Sequence, residues 1–116
     1  MIQKQKDIPL LNESEATFSG LGIAPRILDI LLKLGFKNPT SIQHKAIPVA
    51  IEGKDIIGIA QTGTGKTLAF GIPLIQQIVK SAGLKPGSKG LILLPTRELA
   101  LQVNDSLQKI GREFGI

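Results

Sequence analysis

The sequence predicts an α/β fold, built from a parallel βαβ unit that two helices precede. Two short apolar runs, residues 56–60 and 91–94, have the length of strands, and residues 66–81 between them show helical spacing of apolar side chains. Strands joined through a helix run parallel, with a right-handed crossover. Because two strands alone would leave sheet edges and apolar faces open to water, we interpret the 116-residue chain as part of a larger α/β domain.

The sequence of the N-terminal part of the chain indicates an arm followed by a first helix. Residues 1–17 are polar, of mixed charge and without periodicity, which is typical of a flexible arm, and the truncated domain is expected to span residues 18–116. Apolar side chains recur at helical spacing over residues 24–34. Pro25 suits the first helical position and Gly35 suits the stop.

A second, short helix is predicted after the turn at Asn38 and Pro39. Thr40 or Ser41 can cap its N-terminus. Pro48 is expected to interrupt it, because proline removes one hydrogen bond of the helix.

The βαβ unit occupies the rest of the chain. Residues 56–60 are predicted to be a strand buried on both faces, and the helix after the glycine-rich loop should be kinked at Pro73. Residues 83–90 form a loop, residues 91–94 a second strand, and Thr96 can cap a last helix. The apolar face of that helix is expected to comprise Leu99, Ala100, Val103, Leu107, Ile110 and Phe114.

Composition narrows the class of protein. Hydrophobic residues make up 42% and charged residues 20%, so the bulk of the chain should be globular rather than disordered. The net charge of +5 favours anionic partners, although cations spread along a chain are also typical of a solvated surface. The sequence has no cysteine, which excludes disulfides and thiolate metal sites, and no apolar run long enough for a membrane span. We therefore expect a cytoplasmic protein without a membrane partner; its oligomeric state is not predicted.

A phosphate-binding loop is predicted between the first strand and the helix after it. Gly63 and Gly65 let the backbone turn and present N–H groups to an anion, and the helix N-terminus adds partial positive charge. Lys66 can reach the β- and γ-phosphates of a nucleotide, and the Thr67 hydroxyl can bind Mg²⁺. The alternative is a glycine-rich turn with an incidental lysine. The octet with Walker-A spacing is Ala60, Gln61, Thr62, Gly63, Thr64, Gly65, Lys66 and Thr67.

A glutamine lies upstream of this loop, after the turn in residues 35–43. The Gln43 amide offers a donor and an acceptor, which match the N6 donor and N7 acceptor of adenine. A glutamine on a helix is more often simply solvated, so its chemistry alone does not identify the base.

Three motifs together resemble those of DEAD-box ATP-dependent RNA helicases, in the family's order. The stretch GFKNPTSIQ resembles the Q motif, AQTGTGKT resembles motif I and PTRELA resembles motif Ia. The resemblance runs from about Phe18 to the end of the chain and implies the N-terminal part of the first RecA-like domain, with ATP and Mg²⁺ as cofactors.

The resemblance also implies roles for individual residues. Gln43 would read the adenine edge, Phe18 would stack on its ring, and Phe36, Lys37 and Pro39 would shape the rest of the base pocket. Stacking of a base on an aromatic face is physically favourable. The alternatives are a core or staple residue for Phe18 and a plug at the end of the first helix for Phe36.

Motif Ia of the family contacts the RNA sugar-phosphate backbone, with little sequence preference. By resemblance this role falls on Pro95, Thr96, Arg97 and Glu98, at a predicted helix start, where backbone N–H groups favour phosphate. Arg97 has the alternative of an internal ion pair with Glu98 or Asp55.

The parts that complete hydrolysis in the family are not found in the sequence. The chain has neither an Asp-Glu pair, which the family's Asp-Glu-Ala-Asp motif would contain, nor a Ser-Ala-Thr motif. We therefore expect the parent to be an ATP hydrolase and the 116-residue fragment alone to be inactive. The alternatives are a self-standing nucleotide- or RNA-binding module and another P-loop enzyme, such as a small kinase or GTPase.

Overall fold

The computed structural model describes residues 16–83 and 87–116. Most of the predicted arm, residues 1–15, and residues 84–86 of the predicted loop lie outside the described residues. No helix within the described ranges is long and apolar enough to cross a membrane. Those ranges hold the α-helices α1, α2, α3 and α4, over Pro25–Lys33, Ser41–Ile51, Lys66–Ala82 and Arg97–Gly111, and a 3-10 turn at Arg112–Phe114.

Helix α1 begins and ends as its sequence predicts. Pro25 occupies the first helical position, where its missing N–H costs no hydrogen bond. At the other end, the N–H of Gly35 donates to the Leu32 carbonyl at 3.0 Å and the N–H of Phe36 donates to the Leu31 carbonyl at 2.9 Å. This pair of bonds is a Schellman motif, and it requires the left-handed conformation of Gly35, whose φ is 86°. The chain therefore reverses at Gly35 toward α2.

Proline does not interrupt α2 as predicted, because the helix continues past Pro48 to Ile51. The cost of the one hydrogen bond that Pro48 removes is offset by packing: Ile47 is completely buried, and α2 makes its most extensive contact with α3. Helix α3 also continues past Pro73, which is buried, and the kink there stays a prediction.

The core is aliphatic apart from Phe18 and lies between the helices. Its members come from every helix and from the segment before α1, so burial of apolar surface joins elements far apart in sequence. The side chains with less than 2% of their surface exposed include Ile27, Leu31, Ile47, Ile72 and Ile110.

The two predicted strands form no strand ladder in the described residues. Ile57 and Ile59 are each 92% exposed, and Leu91 and Leu93 are 82% and 85% exposed. The prediction that residues 56–60 are buried on both faces is therefore wrong for this chain. Consecutive strands are not always neighbours in a sheet, and without neighbouring strands neither segment can form a ladder or cover its outer face.

The inner faces of the same segments lie against the helices. An added Cβ at Gly58 would contact the Ile42 side chain of α2 at 3.4 Å, and one at Gly90, directly before the second segment, would overlap the Leu74 side chain of α3. Ile92 is half-buried between exposed neighbours. The alternation of covered and open positions has the two-residue period of a strand.

Arg26 joins the first helix to the end of the described chain. Its Nη2 donates to the Glu113 carbonyl at 2.6 Å, and its guanidinium lies over the Phe114 ring, 4.5 Å from the centroid. This cation–π contact and hydrogen bond connect α1 with the 3-10 turn after α4.

Candidate functional site

The glycine-rich loop leads directly into α3, as a phosphate-binding loop must. Gly63 and Gly65 have φ angles of 78° and 82°, in the left-handed region that side chains with a Cβ rarely adopt. The Thr64 hydroxyl donates to the Gln61 carbonyl inside the loop. An added Cβ at Gly63 would meet no atom within 4 Å, so the space beside it is open to a ligand. This geometry suits an anion placed at the N-terminus of α3.

Gln43 belongs to a capping box at the start of α2. The Thr40 hydroxyl accepts from the Gln43 N–H, and the Gln43 Oε1 accepts from the Thr40 N–H at 2.9 Å. The predicted cap at Thr40 is therefore confirmed, with Gln43 as its partner three residues on.

The same glutamine side chain also contacts the phosphate-binding loop. Its Nε2 donates to the Gly65 carbonyl at 3.0 Å, and only 4% of the residue's surface is exposed. A Cβ added at Gly65 would overlap Gln43 Nε2 and come within 3.1 Å of Thr40 Oγ1. The structure thus brings the predicted base-reading glutamine and the predicted phosphate loop together, although they are 22 residues apart in sequence.

The other residues of the predicted base pocket differ in exposure. Phe36 is 40% exposed and Lys37 is also exposed, whereas Pro39 has less than 2% of its surface exposed. Phe18 lies in the core cluster with 5% of its surface exposed, so little of its ring is accessible to a base. This placement favours the alternative of a core residue, and stacking on adenine stays a prediction.

Two side chains hold the segment around Phe18: Asn38, predicted from the sequence only as a turn residue, and Gln76, which was not singled out. Asn38 Nδ2 donates to the Ala16 carbonyl at 2.7 Å. Gln76 of α3 accepts from the Ala24 N–H at 2.8 Å and donates to the Gly22 carbonyl at 2.9 Å. A signal for Gln76 exists in the sequence, because it lies four residues after the buried Ile72, where an apolar residue would be expected.

Lys66 and Thr67 occupy the first turn of α3. Lys66 is exposed and Thr67 is half-buried, directly after the left-handed Gly65. No group of three or more His, Asp or Glu side chains within residues 16–83 and 87–116 is arranged to hold a metal ion. A hydroxyl beside a phosphate loop nevertheless fits Mg²⁺, which takes several ligands from the nucleotide and water.

The predicted RNA-contacting residues lie at the start of α4. The Thr96 hydroxyl accepts from the Leu99 N–H at 3.1 Å, which confirms the predicted cap. Pro95, Arg97 and Glu98 are exposed, and Arg97 makes no ion pair with any described residue. Of the predicted apolar face, Val103 and Ile110 are buried. At the N-terminal end, however, Leu99 and Ala100 are exposed, so that end is open to a partner.

The chain is similar in sequence to a known protein family and to individual members of it. The family model for DEAD/DEAH box helicases matches residues 40–116. The chain is 43% identical over 115 residues to the pre-mRNA-processing ATP-dependent RNA helicase PRP5 of Phaeosphaeria nodorum, a match that covers 97% of the chain and 10% of that protein. It is 42% identical over 118 residues to the ATP-dependent rRNA helicase RRP3 of Scheffersomyces stipitis, covering 98% of the chain and 24% of that protein. The chain thus spans a quarter or less of the length of these relatives.

Solved structures agree with the fold. The RNA helicase Prp28 from Chaetomium thermophilum, bound to ADP, has a TM-score of 0.78 at 40% identity, over 86% of the chain and 25% of that protein's chain. Dbp5 of S. cerevisiae, bound to RNA and ADP BeF3, has a TM-score of 0.69 at 31% identity, over 83% and 24%. These likenesses support the predicted partial RecA-like fold, while the strand pairing of its βαβ unit stays a prediction.

Proposed function

Because the chain belongs to the DEAD/DEAH box helicase family, we propose that it is the ATP-binding and RNA-binding segment of an ATP-dependent RNA helicase. The observation that carries this proposal is the hydrogen bond from Gln43 Nε2 to the Gly65 carbonyl, because it supports a site in which Gln43 would read the base while the glycine-rich loop holds the phosphates. Phosphates would lie against the backbone N–H groups of residues 62–67, with the Lys66 ammonium on the β- and γ-phosphates and the Thr67 hydroxyl on Mg²⁺.

Gln43 retains the capacity to read adenine despite its present bonds. An amide oxygen has two lone pairs and an amide nitrogen two hydrogens, and Gln43 uses one of each for Thr40 and Gly65. The second lone pair and the second hydrogen match the N6 donor and N7 acceptor of adenine.

Adenine selectivity tests this proposal. We expect ATP to displace a labelled adenine nucleotide at a concentration roughly tenfold lower than GTP, because guanine presents acceptors where adenine has a donor. Equilibrium competition, followed by fluorescence anisotropy, measures the ratio. The Gln43→Ala variant should bring the ATP and GTP concentrations needed for displacement closer together. Equal displacement by ATP and GTP on the unaltered chain would contradict the proposal that Gln43 reads the base.

Hydrolysis is expected to need groups beyond these residues. Phosphoryl transfer requires a metal-holding carboxylate, a positioned water and compensating cations together with the phosphate loop. The chain has no Asp-Glu pair to supply the family's carboxylates, so we expect no steady-state ATP turnover from the 116-residue chain, with or without RNA. A coupled phosphate-release assay measures this. RNA-stimulated release above the level of a Lys66→Met control would contradict the expectation.

The same missing pair favours a second candidate, a module that binds nucleotide or RNA and never hydrolyses ATP. The reading frame of the gene distinguishes the two. Continuation of the frame into an Asp-Glu-Ala-Asp stretch supports the helicase, and a stop codon after Ile116 supports the module.

RNA binding is proposed at the start of α4. Replacement of Arg97 with alanine should weaken RNA binding by a similar factor for unrelated sequences and lower the slope of log affinity against log salt by about 1, because a single phosphate contact is lost. Filter binding of two unrelated single-stranded RNAs at several salt concentrations measures both. Arg112→Ala is the matched control, since Arg112 is exposed at the opposite end of α4, about 22 Å away at the helical rise per residue. Equal effects of the two variants would place the contact elsewhere.

A further inference from the structure

The Gln76 side chain of α3 holds the backbone on both sides of Ile23. Its Oε1 accepts from the Ala24 N–H at 2.8 Å, and its Nε2 donates to the Gly22 carbonyl at 2.9 Å. A primary amide supplies this acceptor and this donor side by side, so the pair of bonds fixes the orientation of the segment as well as its distance from α3. The segment is therefore attached to α3 by directional contacts in addition to the burial of Ile23.

The attached segment leads directly into α1. Ala24 is the N-cap residue of this helix, and its carbonyl accepts the N–H groups of Ile27 and Leu28, each at 3.0 Å. No side chain of the N-cap residue holds the helix start. Because Gln76 bonds to the N–H of the same residue, it holds the first turn of α1 from outside the helix.

The other end of α1 carries a residue of the proposed base pocket. The Phe36 N–H donates to the Leu31 carbonyl at 2.9 Å, so Phe36 keeps a fixed position relative to α1, whereas Gln43 belongs to α2. A pocket shared by Phe36 and Gln43 requires the two helices to keep one relative position. However, α1 makes much less extensive contact with α2 or α3 than those two helices make with each other.

A second amide closes a loop of chain around α1. Asn38, in the turn between α1 and α2, donates from Nδ2 to the Ala16 carbonyl at 2.7 Å. Residues 16–38 are thus closed on themselves by Asn38 and joined to α3 by Gln76. The turn that contributes to the base pocket lies inside this closed loop, so the attachment to α3 bears on the pocket as well as on α1.

Apolar packing does not fix the orientation of α1 in the same way. Buried Ile27 and Leu31 keep the helix on the core, but hydrophobic burial is non-directional. The polar contact of Arg26 goes to the Glu113 carbonyl, after α4. Gln76 therefore supplies a directional link between α1 and the helix that begins at the phosphate-binding loop.

We propose that Gln76 is a positioning residue for the base pocket. By holding the backbone at Gly22 and Ala24, it fixes α1 relative to α3, and Phe36 thereby keeps its position relative to Gln43. The proposal rests on the proposed function of the site. It predicts that Gln76 contributes to binding of the base of ATP and not to binding of the phosphates.

A ligand without a base tests this division. The affinities of ATP and of inorganic tripolyphosphate, each with Mg²⁺, are measured by calorimetry on the unaltered chain and on Gln76→Met, which keeps the length of the side chain and removes both hydrogen bonds. We expect ATP binding to weaken roughly threefold to tenfold, because the base pocket must then be ordered when ATP binds. Tripolyphosphate binding should change by less than about twofold, since Gln76 lies about 15 Å from Lys66 along α3.

Two further variants control the experiment. Gln77→Met is the matched control, because Gln77 is the next residue on α3, is exposed and should change neither affinity. Gln76→Glu keeps the size of the side chain and can accept from the Ala24 N–H, but its carboxylate has no hydrogen for the Gly22 carbonyl. It should weaken ATP binding and spare tripolyphosphate binding, as Gln76→Met does. Circular dichroism and the unfolding midpoint establish that the variants are folded.

The outcomes distinguish this proposal from the function of the site. Unchanged ATP affinity in the folded Gln76 variants would overturn the positioning role and leave the ATP site intact. Equal losses of ATP and tripolyphosphate affinity would also overturn it, because a general effect on the chain would explain them. Loss of the fold in both variants would make Gln76 a structural residue and overturn the proposal too. If the unaltered, folded chain bound neither ligand, the proposed function itself would fail.

Discussion

Replacement of Lys66 with methionine is expected to weaken ATP binding roughly 10- to 100-fold, the loss associated with hydrogen bonds from a charged group. Lys66 is exposed at the first position of α3, beside the left-handed Gly65, and the proposed function assigns its ammonium to the terminal phosphates. Since the side chain makes no ion pair with any residue in the described part of the chain, the substitution should leave the unfolding midpoint nearly unchanged. Calorimetric titration with ATP and Mg²⁺ measures the effect.

A second lysine on the same helix supplies the control. Lys80 is exposed in the last turn of α3, about 21 Å from Lys66 along the helix, and Lys80→Met removes the same charge. If both variants lost the same affinity, net charge rather than a contact at the phosphate loop would explain the binding.

Replacement of Ile72 with alanine is expected to lower the free energy of unfolding by about 2 to 5 kcal/mol, the range for large-to-small substitutions in a core. Ile72 has no exposed surface and lies in the cluster that joins α3 to α2 and α1. The substitution removes buried methyl groups and leaves a cavity that the surrounding helices fill only in part. Urea unfolding followed by circular dichroism gives the value.

Ile57→Ala is the matched substitution on the surface. Ile57 is 92% exposed, so the same change should alter the free energy of unfolding by less than about 0.5 kcal/mol. Comparable losses for the two variants would mean that the helices do not form the core described above.

The helices were predictable because their signals are local. Pro25 begins α1 through its own fixed backbone angle, whereas Gly35, Thr40 and Thr96 act through hydrogen bonds to residues a few positions away. Pro48 misled the prediction, since the cost of one missing hydrogen bond is local but the packing of α2 on α3 is not. A sequence pattern indicates the cost of the missing hydrogen bond, but it does not indicate the stabilisation from packing of α2 on α3.

The glycine turn into α3 was predictable for the same reason, and the surroundings of the candidate site were not. Residues 60–67 are contiguous, so their spacing alone indicates a glycine turn and a helix start. The second partner of Gln43 and both partners of Gln76 lie 22 to 54 residues away, and no periodicity indicates them. The burial of Phe18 depends in the same way on helices that come later in the chain.

The handling of the protein depends on the exposed side chains of residues 56–60 and 91–94. Four large aliphatic side chains are largely exposed there, in segments that form no strand ladder within the described residues: Ile57, Ile59, Leu91 and Leu93. Exposed aliphatic surface promotes association between molecules. Titrations on this chain therefore require dilute samples whose monodispersity is checked by light scattering, because aggregation would block ligand sites and distort apparent affinities.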